Sequence, residues 1–208
     1  MYQNSKTPRG DSPVSVIGAG IAGAWHALLL ARSGRRVTLH ERSDAAMTQS
    51  TSHWAGGMLA PYCEAEVSEP VIVRLGLRSL KLWRDYFPQT PFNGSLVVAH
   101  ARDRADFERF ARLTSGHRKL DAQAIAAIEP SLEGRFRDGL FYPDEGHVEP
   151  RRILPEIHAR IREAGGTVRF NSDVEPDDVQ GDGGIVIDCR GLAARETQPE
   201  LRGVKGEL

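Results

Sequence analysis

The sequence predicts an α/β fold, a doubly wound parallel sheet interrupted by an inserted, incomplete α+β segment. Three observations predict it. A β-branched run near the N-terminus passes through a glycine-rich turn into a helical stretch and then a second strand. A helix pattern followed by two strand patterns returns after residue 150. Glycine, with 21 residues of 208, makes up about 10% of the chain against a usual ~7%.

The first forty residues carry the strongest signal. Val14-Ser15-Val16-Ile17, bounded by Pro13 and glycine, reads as a buried strand. It feeds into Gly18-Ala19-Gly20-Ile21-Ala22-Gly23 and then a helical stretch, Ala24 to Ala31, which Gly34 ends as a left-handed cap. A second strand, Arg36 to His40, stops at Glu41. This is a βαβ start with a G-x-G-x-x-G turn, and Glu41 lies 18 residues beyond the third glycine, close to the ~20 expected of a ribose-binding acid.

Each residue type has a physical reason. Gly18 allows the tight turn, Gly20 leaves the backbone open to a pyrophosphate, and Gly23 lets helix and strand pack closely. The first turn of the helix, with Ile21 and Ala22, offers free N–H groups and a partial positive charge. Glu41 can accept ribose hydroxyls and would repel a 2′-phosphate, so FAD or NAD fits better than NADP. The expectation is a Rossmann-like FAD/NAD-binding domain.

A second glycine cluster, Thr51-Ser52-His53-Trp54-Ala55-Gly56-Gly57-Met58-Leu59-Ala60-Pro61, begins ten residues after Glu41. A nicotinamide domain usually continues into another helix and strand here. Small and hydroxylated residues instead suit a backbone lying against a flat, polar group, with Thr51 and Ser52 able to reach phosphate oxygens.

At these residues the chain resembles the D-amino-acid oxidase superfamily of FAD enzymes, and within it the glycine oxidases of thiamine biosynthesis. Glu145 to Pro150, Gly166 to Phe170 with Val174, and Val204 to Glu207 extend the resemblance to the end of the chain. It implies that Gly18, Gly20, Ile21, Ala22 and Gly23 hold the pyrophosphate, and Glu41 the ribose, with Arg42 at the rim. It implies further that Thr51 and Ser52 face the phosphates while Ala55, Gly56, Gly57 and Met58 line the isoalloxazine. Met58 and Ala60 would lie near the substrate, and Val174 beside the adenine. Cys189 and Arg190 depart from the family's small-residue A-x-G, so only Gly191 carries over there.

The resemblance implies oxidation of a small amino-acid amine to an imine, with hydride passing to the flavin and oxygen reoxidising it. A glycine-like substrate would link the reaction to the thiazole of thiamine. Sarcosine or a D-amino acid is the alternative substrate, and a nucleotide-binding fragment without turnover is the alternative role. The residues show no catalytic acid or base. The family's substrate-carboxylate arginine would lie beyond Leu208, so a truncated product is expected; homo-oligomerisation of a full-length protein stays open.

The remaining elements follow from periodicity. Val71 to Phe87 is an amphipathic helix with Leu75, Leu80, Trp83 and Phe87 in one stripe and a solvated basic side. Ser95 to Ala99 is a strand, Arg102 to Leu113 a charged helix with Phe107, Phe110 and Ala111 inward, and Ala122 to Ile128 a short helix ended by Glu129-Pro130. Leu140-Phe141-Tyr142 reads as an edge strand before Pro143. Arg152 to Ala164 is a helix whose start Pro155 leaves open, and Ile185 to Ile187 is a further buried strand. The expected division is 1–87 and 149–208 for the FAD-binding domain, with residues 1–13 disordered, and 88–148 for a partial substrate domain.

Composition excludes other classes. With 27 basic and 28 acidic residues the net charge is −1, which argues against nucleic-acid binding by bulk charge. No stretch approaches the ~20 apolar residues of a membrane span, and the polar N-terminus lacks the apolar core of a signal peptide. Two distant cysteines, Cys63 and Cys189, suggest a reducing, cytoplasmic setting. His147 between Glu145 and Glu149 lacks a third metal ligand, and Cys63 with His53 lacks an orienting acid. His26 and His40 read as structural, and no G-x-S-x-G nucleophile elbow occurs.

Overall fold

A computed structural model describes residues 12–180 and 184–203. The strand expected at Val204 to Glu207 lies outside these residues, as does the N-terminal disorder expected before Ser12. Ser12 and Pro13 themselves are tied down: the Arg35 guanidinium donates to the Ser12 carbonyl, and Ile185 N–H to that of Pro13 at 3.0 Å.

In chain order the elements are β1 (Val14–Ile17), α1 (Ile21–Arg32), β2 (Val37–His40), α2 (Thr51–Trp54), β3 (Met58–Leu59), α3 (Pro70–Tyr86), β4 (Ser95–Val98) and α4 (Arg104–Leu113). There follow β5 (Arg118–Asp121), α5 (Ala122–Ile128), β6 (Asp138–Tyr142), β7 (Gly146–His147), α6 (Pro150–Glu163), β8 (Thr167–Arg169), α7 (Pro176–Val179) and β9 (Ile185–Asp188).

The chain forms two compact units, Met1–Gly56 with Glu149–Leu208, and Gly57–Val148. The boundary expected at 87/88 therefore falls at 56/57. The cause is local: β3 pairs with β7, and the Gly57 carbonyl accepts the Val148 N–H at 2.8 Å. Gly76 of α3 packs so tightly on Pro61 that a Cβ there would lie 2.6 Å from the proline ring, which keeps α3 with this unit.

The first unit is built on a parallel sheet of order β8-β2-β1-β9. Val14 is level with Val37 and Ile185, and Ile17 with His40 and Asp188, so the carboxyl ends of three strands stop together. Helix α1 buries Gly23, Ala24, Ala27, Leu28 and Ala31, small residues that let it lie close to α6. Gly34, at φ +81°, ends the α1 turn as its sequence position suggests.

Helix α6 starts at Pro150, five residues before Pro155, which therefore sits inside it. Proline at the first helical position supplies a ready φ. The second proline has no N–H to donate, a cost of about 3 kcal/mol. Ile153, Leu154, Ile157 and Ile161 are buried on the same helix, each stabilising by about 1.5–3 kcal/mol, and they offset it.

The second unit holds an antiparallel sheet of order β4-β6-β5 and the small β3-β7 pair. The segment Leu140-Phe141-Tyr142, expected at an edge, lies on β6, the central strand: both neighbours pair with it, and Gly139 to Tyr142 are buried. Gly139 makes room for Ile125, which packs with Leu120 and Phe141 as a core bordered by Leu96, Val98 and Phe136. Along α3, Leu80 and Trp83 are buried with Phe87 just beyond its end, but Leu75 is 52% exposed: five positions before Leu80, it is turned about 140° away from it round the helix and is not in their stripe. The helix expected from Arg102 begins as a tighter 3₁₀ turn, Ala101–Asp103, before α4. Among the described residues no helix is long and apolar enough to cross a membrane.

Candidate functional site

The aligned strand ends bring three distant turns to one place. Gly18 leaves β1 at φ +94°, and a Cβ there would lie 2.6 Å from the Cys189 carbonyl oxygen. A Cβ on Gly23 would lie 1.9 Å from the Gly18 carbonyl, so the first turn of α1 lies directly on the glycine turn. Gly20 begins α1 with no side-chain cap of its own and no acid in the first turn, leaving its positive end open to an anion. Ser52 Oγ, 3.0 Å away, accepts the Ile21 N–H, and Ser50 Oγ accepts the Ser52 N–H at 3.2 Å.

Glu41, at the end of β2, is 8% exposed. Its Oε2 accepts the Ala19 N–H at 2.9 Å, and its Oε1 accepts the Ser43 N–H at 3.0 Å and hydroxyl at 2.8 Å. A carboxylate has about four acceptor positions, so one remains for a ligand hydroxyl. The Ala19 carbonyl accepts from His158 Nε2 at 3.0 Å, which fixes the proton on that nitrogen. Burial holds the His158 pKa below its ordinary value, opposed by the Ala19 bond and the Glu41 charge and aided by Arg162. Burial and Arg169 likewise lower His40, whose Nδ1 meets Ser172 Oγ at 2.9 Å.

A cavity of about 560 Å³ opens over these groups. Gly18, Gly20, Ile21, Ala22, Glu41 and Arg42 line one part, and Thr51, Ser52, Val174 and Gly191 the rest. These ten sequence-predicted residues thus lie together on one cavity. The volume lies within the range usual for small-molecule sites, and amide donors, hydroxyls and a carboxylate acceptor suit a phosphate-linked sugar. Gly23 supports the turn from beneath and does not line the cavity, nor do Ala55 and Gly56. Gly57, Met58 and Ala60 belong to the other unit, where Met58 is 65% exposed and Ala60 buried.

Several residues on the cavity escaped the sequence reading. Ser50, Ser172, Asp173, Glu175, Arg190 and Glu196 line it. The Asp188-x-Arg190 spacing could have signalled a local ion pair. Hydrogen bonds from the Arg190 side chain hold the Asp188 carboxyl below its usual range, and that pairing raises the arginine in turn. Burial, then the Asp188 charge, pushes the Cys189 thiol up. His158, a polar residue beside Ile157 on the apolar stripe of α6, was the other readable signal. In the second unit Cys63 Sγ donates to Glu145 at 3.2 Å, and burial followed by that bond pushes its pKa strongly upward, the reverse of an activated nucleophile.

Comparison with known proteins agrees with this geometry. The chain is 42% identical over 200 residues to a Rhizobium etli protein assigned by name to thiamine biosynthesis as the oxidoreductase ThiO, covering 94% of this chain and 59% of that protein. It is 31% identical over 208 residues to a D-amino-acid oxidase of Streptomyces coelicolor, covering 95% of this chain and 58% of the relative. The chain thus spans under two thirds of the length of these relatives. The fold matches the crystal structure of glycine oxidase from Geobacillus kaustophilus with a TM-score of 0.70 and 22% identity, over 88% of this chain and 57% of that one. The sequence model of the FAD dependent oxidoreductase (DAO) family matches residues 13–208, and the chain belongs to that family.

Proposed function

We propose that the chain is the FAD-binding part of an oxidase acting on a small amino-acid amine, glycine first, in service of thiamine synthesis. The single cavity that joins the glycine turn, Glu41, the Thr51-Ser52 hydroxyls and Val174 carries this reading. The likeness to the Rhizobium etli thiamine biosynthesis protein supports the pathway, and that to the Streptomyces coelicolor D-amino-acid oxidase supports the amine class.

In this reading the first-turn amides of α1 and the hydroxyls of Thr51 and Ser52 receive the pyrophosphate. Glu41 uses its remaining acceptor position for a ribose hydroxyl and repels a 2′-phosphate. Val174 bounds the adenine end, Gly191 stands near the phosphates, and Arg42 is at the rim. The roles that the resemblance gives Ala55, Gly56, Gly57 and Met58 toward the isoalloxazine, and Met58 and Ala60 toward the substrate, are part of the same proposal and rest on the sequence alone. Residues 57–148 contribute to the substrate domain. FAD held by these residues would supply two-electron redox chemistry, the oxidation of an amine to an imine with oxygen as the final acceptor.

The test is a visible spectrum of the purified protein, followed by peroxide release with glycine, sarcosine and D-alanine side by side. Flavin bands and fastest peroxide from glycine are expected. Faster turnover of D-alanine or sarcosine moves the substrate assignment to those amines. Flavin without peroxide from any amine assigns this chain a binding role without turnover, and a colourless protein that takes up NAD overturns the flavin reading.

A further inference from the structure

Arg190 lies just past β9, against the glycine turn, with its side chain only 11% exposed. Its guanidinium is divided between two carboxylates. Nε and Nη2 donate to the two oxygens of Asp188 at 3.0 and 2.9 Å, and the Arg190 backbone N–H adds a third bond to Asp188 at 3.0 Å. The remaining nitrogen, Nη1, donates to Glu175 Oε2. Asp188 is 16% exposed, whereas Glu175 is 60% exposed. One half of this arrangement is therefore fixed and the other releasable.

Glu175 ends the stretch from Ser172 that walls the cavity with Asp173 and Val174. The Ser172 end is tied to β2, through its N–H to the Glu41 carbonyl at 2.9 Å and its hydroxyl to His40. The Glu175 backbone is anchored as the N-cap of α7, its N–H donating to Asp178 Oδ2 at 2.9 Å, and its carboxylate is drawn toward the cavity by Arg190. We propose that Arg190 is a nucleotide-positioning residue, a clasp that grips Glu175 and closes the Ser172–Glu175 wall over the ADP portion of a bound dinucleotide. The proposal rests on the reading of this cavity as a dinucleotide site.

The charges around the cavity set the sign of the test. Arg42 and Arg190 face it with Glu41, Asp173, Glu175 and Glu196, an excess of acid. An arginine with a free fork would bind phosphate; here both edges of the fork are taken, and the phosphates fall to amides and hydroxyls. If Arg190 were a phosphate ligand in waiting, freeing it by Glu175→Gln would tighten binding. As a clasp, the same substitution must loosen it.

The experiment titrates ADP and FAD into the purified protein and the E175Q, R190K and R190A variants, with dissociation rates and the Tm of the ligand-free proteins. E175Q is expected to weaken both ligands about three- to fivefold through faster dissociation, in line with an ion pair exposed on one side, and to leave the ligand-free Tm unchanged. R190A weakens them about tenfold or more, and R190K does not restore binding, because an ammonium cannot span both carboxylates. Adding E175Q to R190A has no further effect. Unchanged or tighter ADP binding in E175Q overturns the clasp, as does an additive double variant. A wild-type protein that binds ADP and NAD but not FAD overturns the flavin reading alone, since the ADP series still decides the clasp. Binding of neither ADP nor a dinucleotide overturns both.

Discussion

Glu41 Oε2 accepts the Ala19 N–H at 2.9 Å, so the acid closing β2 and the turn leaving β1 are one hydrogen-bonded unit. Whatever moves Glu41 also moves the glycine turn, which in the proposed function receives the pyrophosphate. In E41Q an NH₂ group must face either Ala19 N–H or Ser43, where only an acceptor fits. We expect a stability loss of about 1–3 kcal/mol and flavin binding weaker by about tenfold or more. Thermal unfolding and fluorescence titration check this, and wild-type flavin affinity in E41Q would remove Glu41 from the site.

The glycines separate by what surrounds them. G23A places a Cβ 1.9 Å from a backbone oxygen that cannot yield, whereas a Cβ at Gly34 meets nothing within 4 Å. The first should cost about 3 kcal/mol or more and eject flavin. The second should cost only the left-handed strain, about 1–2 kcal/mol, and retain it. Equal effects in the two variants would count against the packing role of Gly23.

Acid should weaken the first unit through its histidines. Burial lowers the folded-state pKa of His158 and of His40, while the unfolded chain titrates near the ordinary value of 6.5. Below that value unfolding takes up protons, so stability is full above it and falls as pH drops toward the lowered folded values. H158Q keeps an amide donor for the Ala19 carbonyl and loses the titration. Its Tm should fall less steeply than wild type between pH 6.5 and about 5. A slope equal to wild type would show that His158 does not titrate in that window.

Glu145, fully buried, accepts the N–H groups of Tyr62 at 2.7 Å and Cys63 at 3.0 Å besides the Cys63 thiol. E145A strands two amides and should destabilise by about 2–5 kcal/mol. With its pKa raised, Cys63 should resist alkylation at pH 8 until the protein unfolds. Timed mass spectrometry with a thiol reagent reads this, and rapid native labelling at Cys63 would contradict it.

Local signals made half of the site legible. Gly18, Gly20, Gly23 and Glu41 could be placed because each answers a short-range demand of the turn or of the strand end it occupies. Arg190 and His158 left only local hints, the Asp188-x-Arg190 spacing and a polar residue on an apolar stripe, while their partners Glu175 and Ala19 stand 15 and 139 positions away and only folding supplies them. The β6 segment was misplaced for a related reason. Pro143 beside it suggested an edge, yet proline restricts only its own position, and β6 receives neighbours on both sides up to Phe141, with β4 continuing to Tyr142. Leu75 was misplaced for a simpler reason: at i, i+5 from Leu80 it does not share the helix face that Leu80, Trp83 and Phe87 bury.

The register of the parallel sheet has a consequence for the order of synthesis. β1 pairs with β2 within 23 positions but with β9 only 171 positions later, at Val14↔Ile185. The glycine turn and Glu41 can meet as soon as the first forty residues emerge from the ribosome. The opposite wall, with Val174, Arg190 and Gly191, does not exist until residue 191 has been made. Closure of the cavity therefore waits for β9, the last of the described strands to be made, to dock on β1.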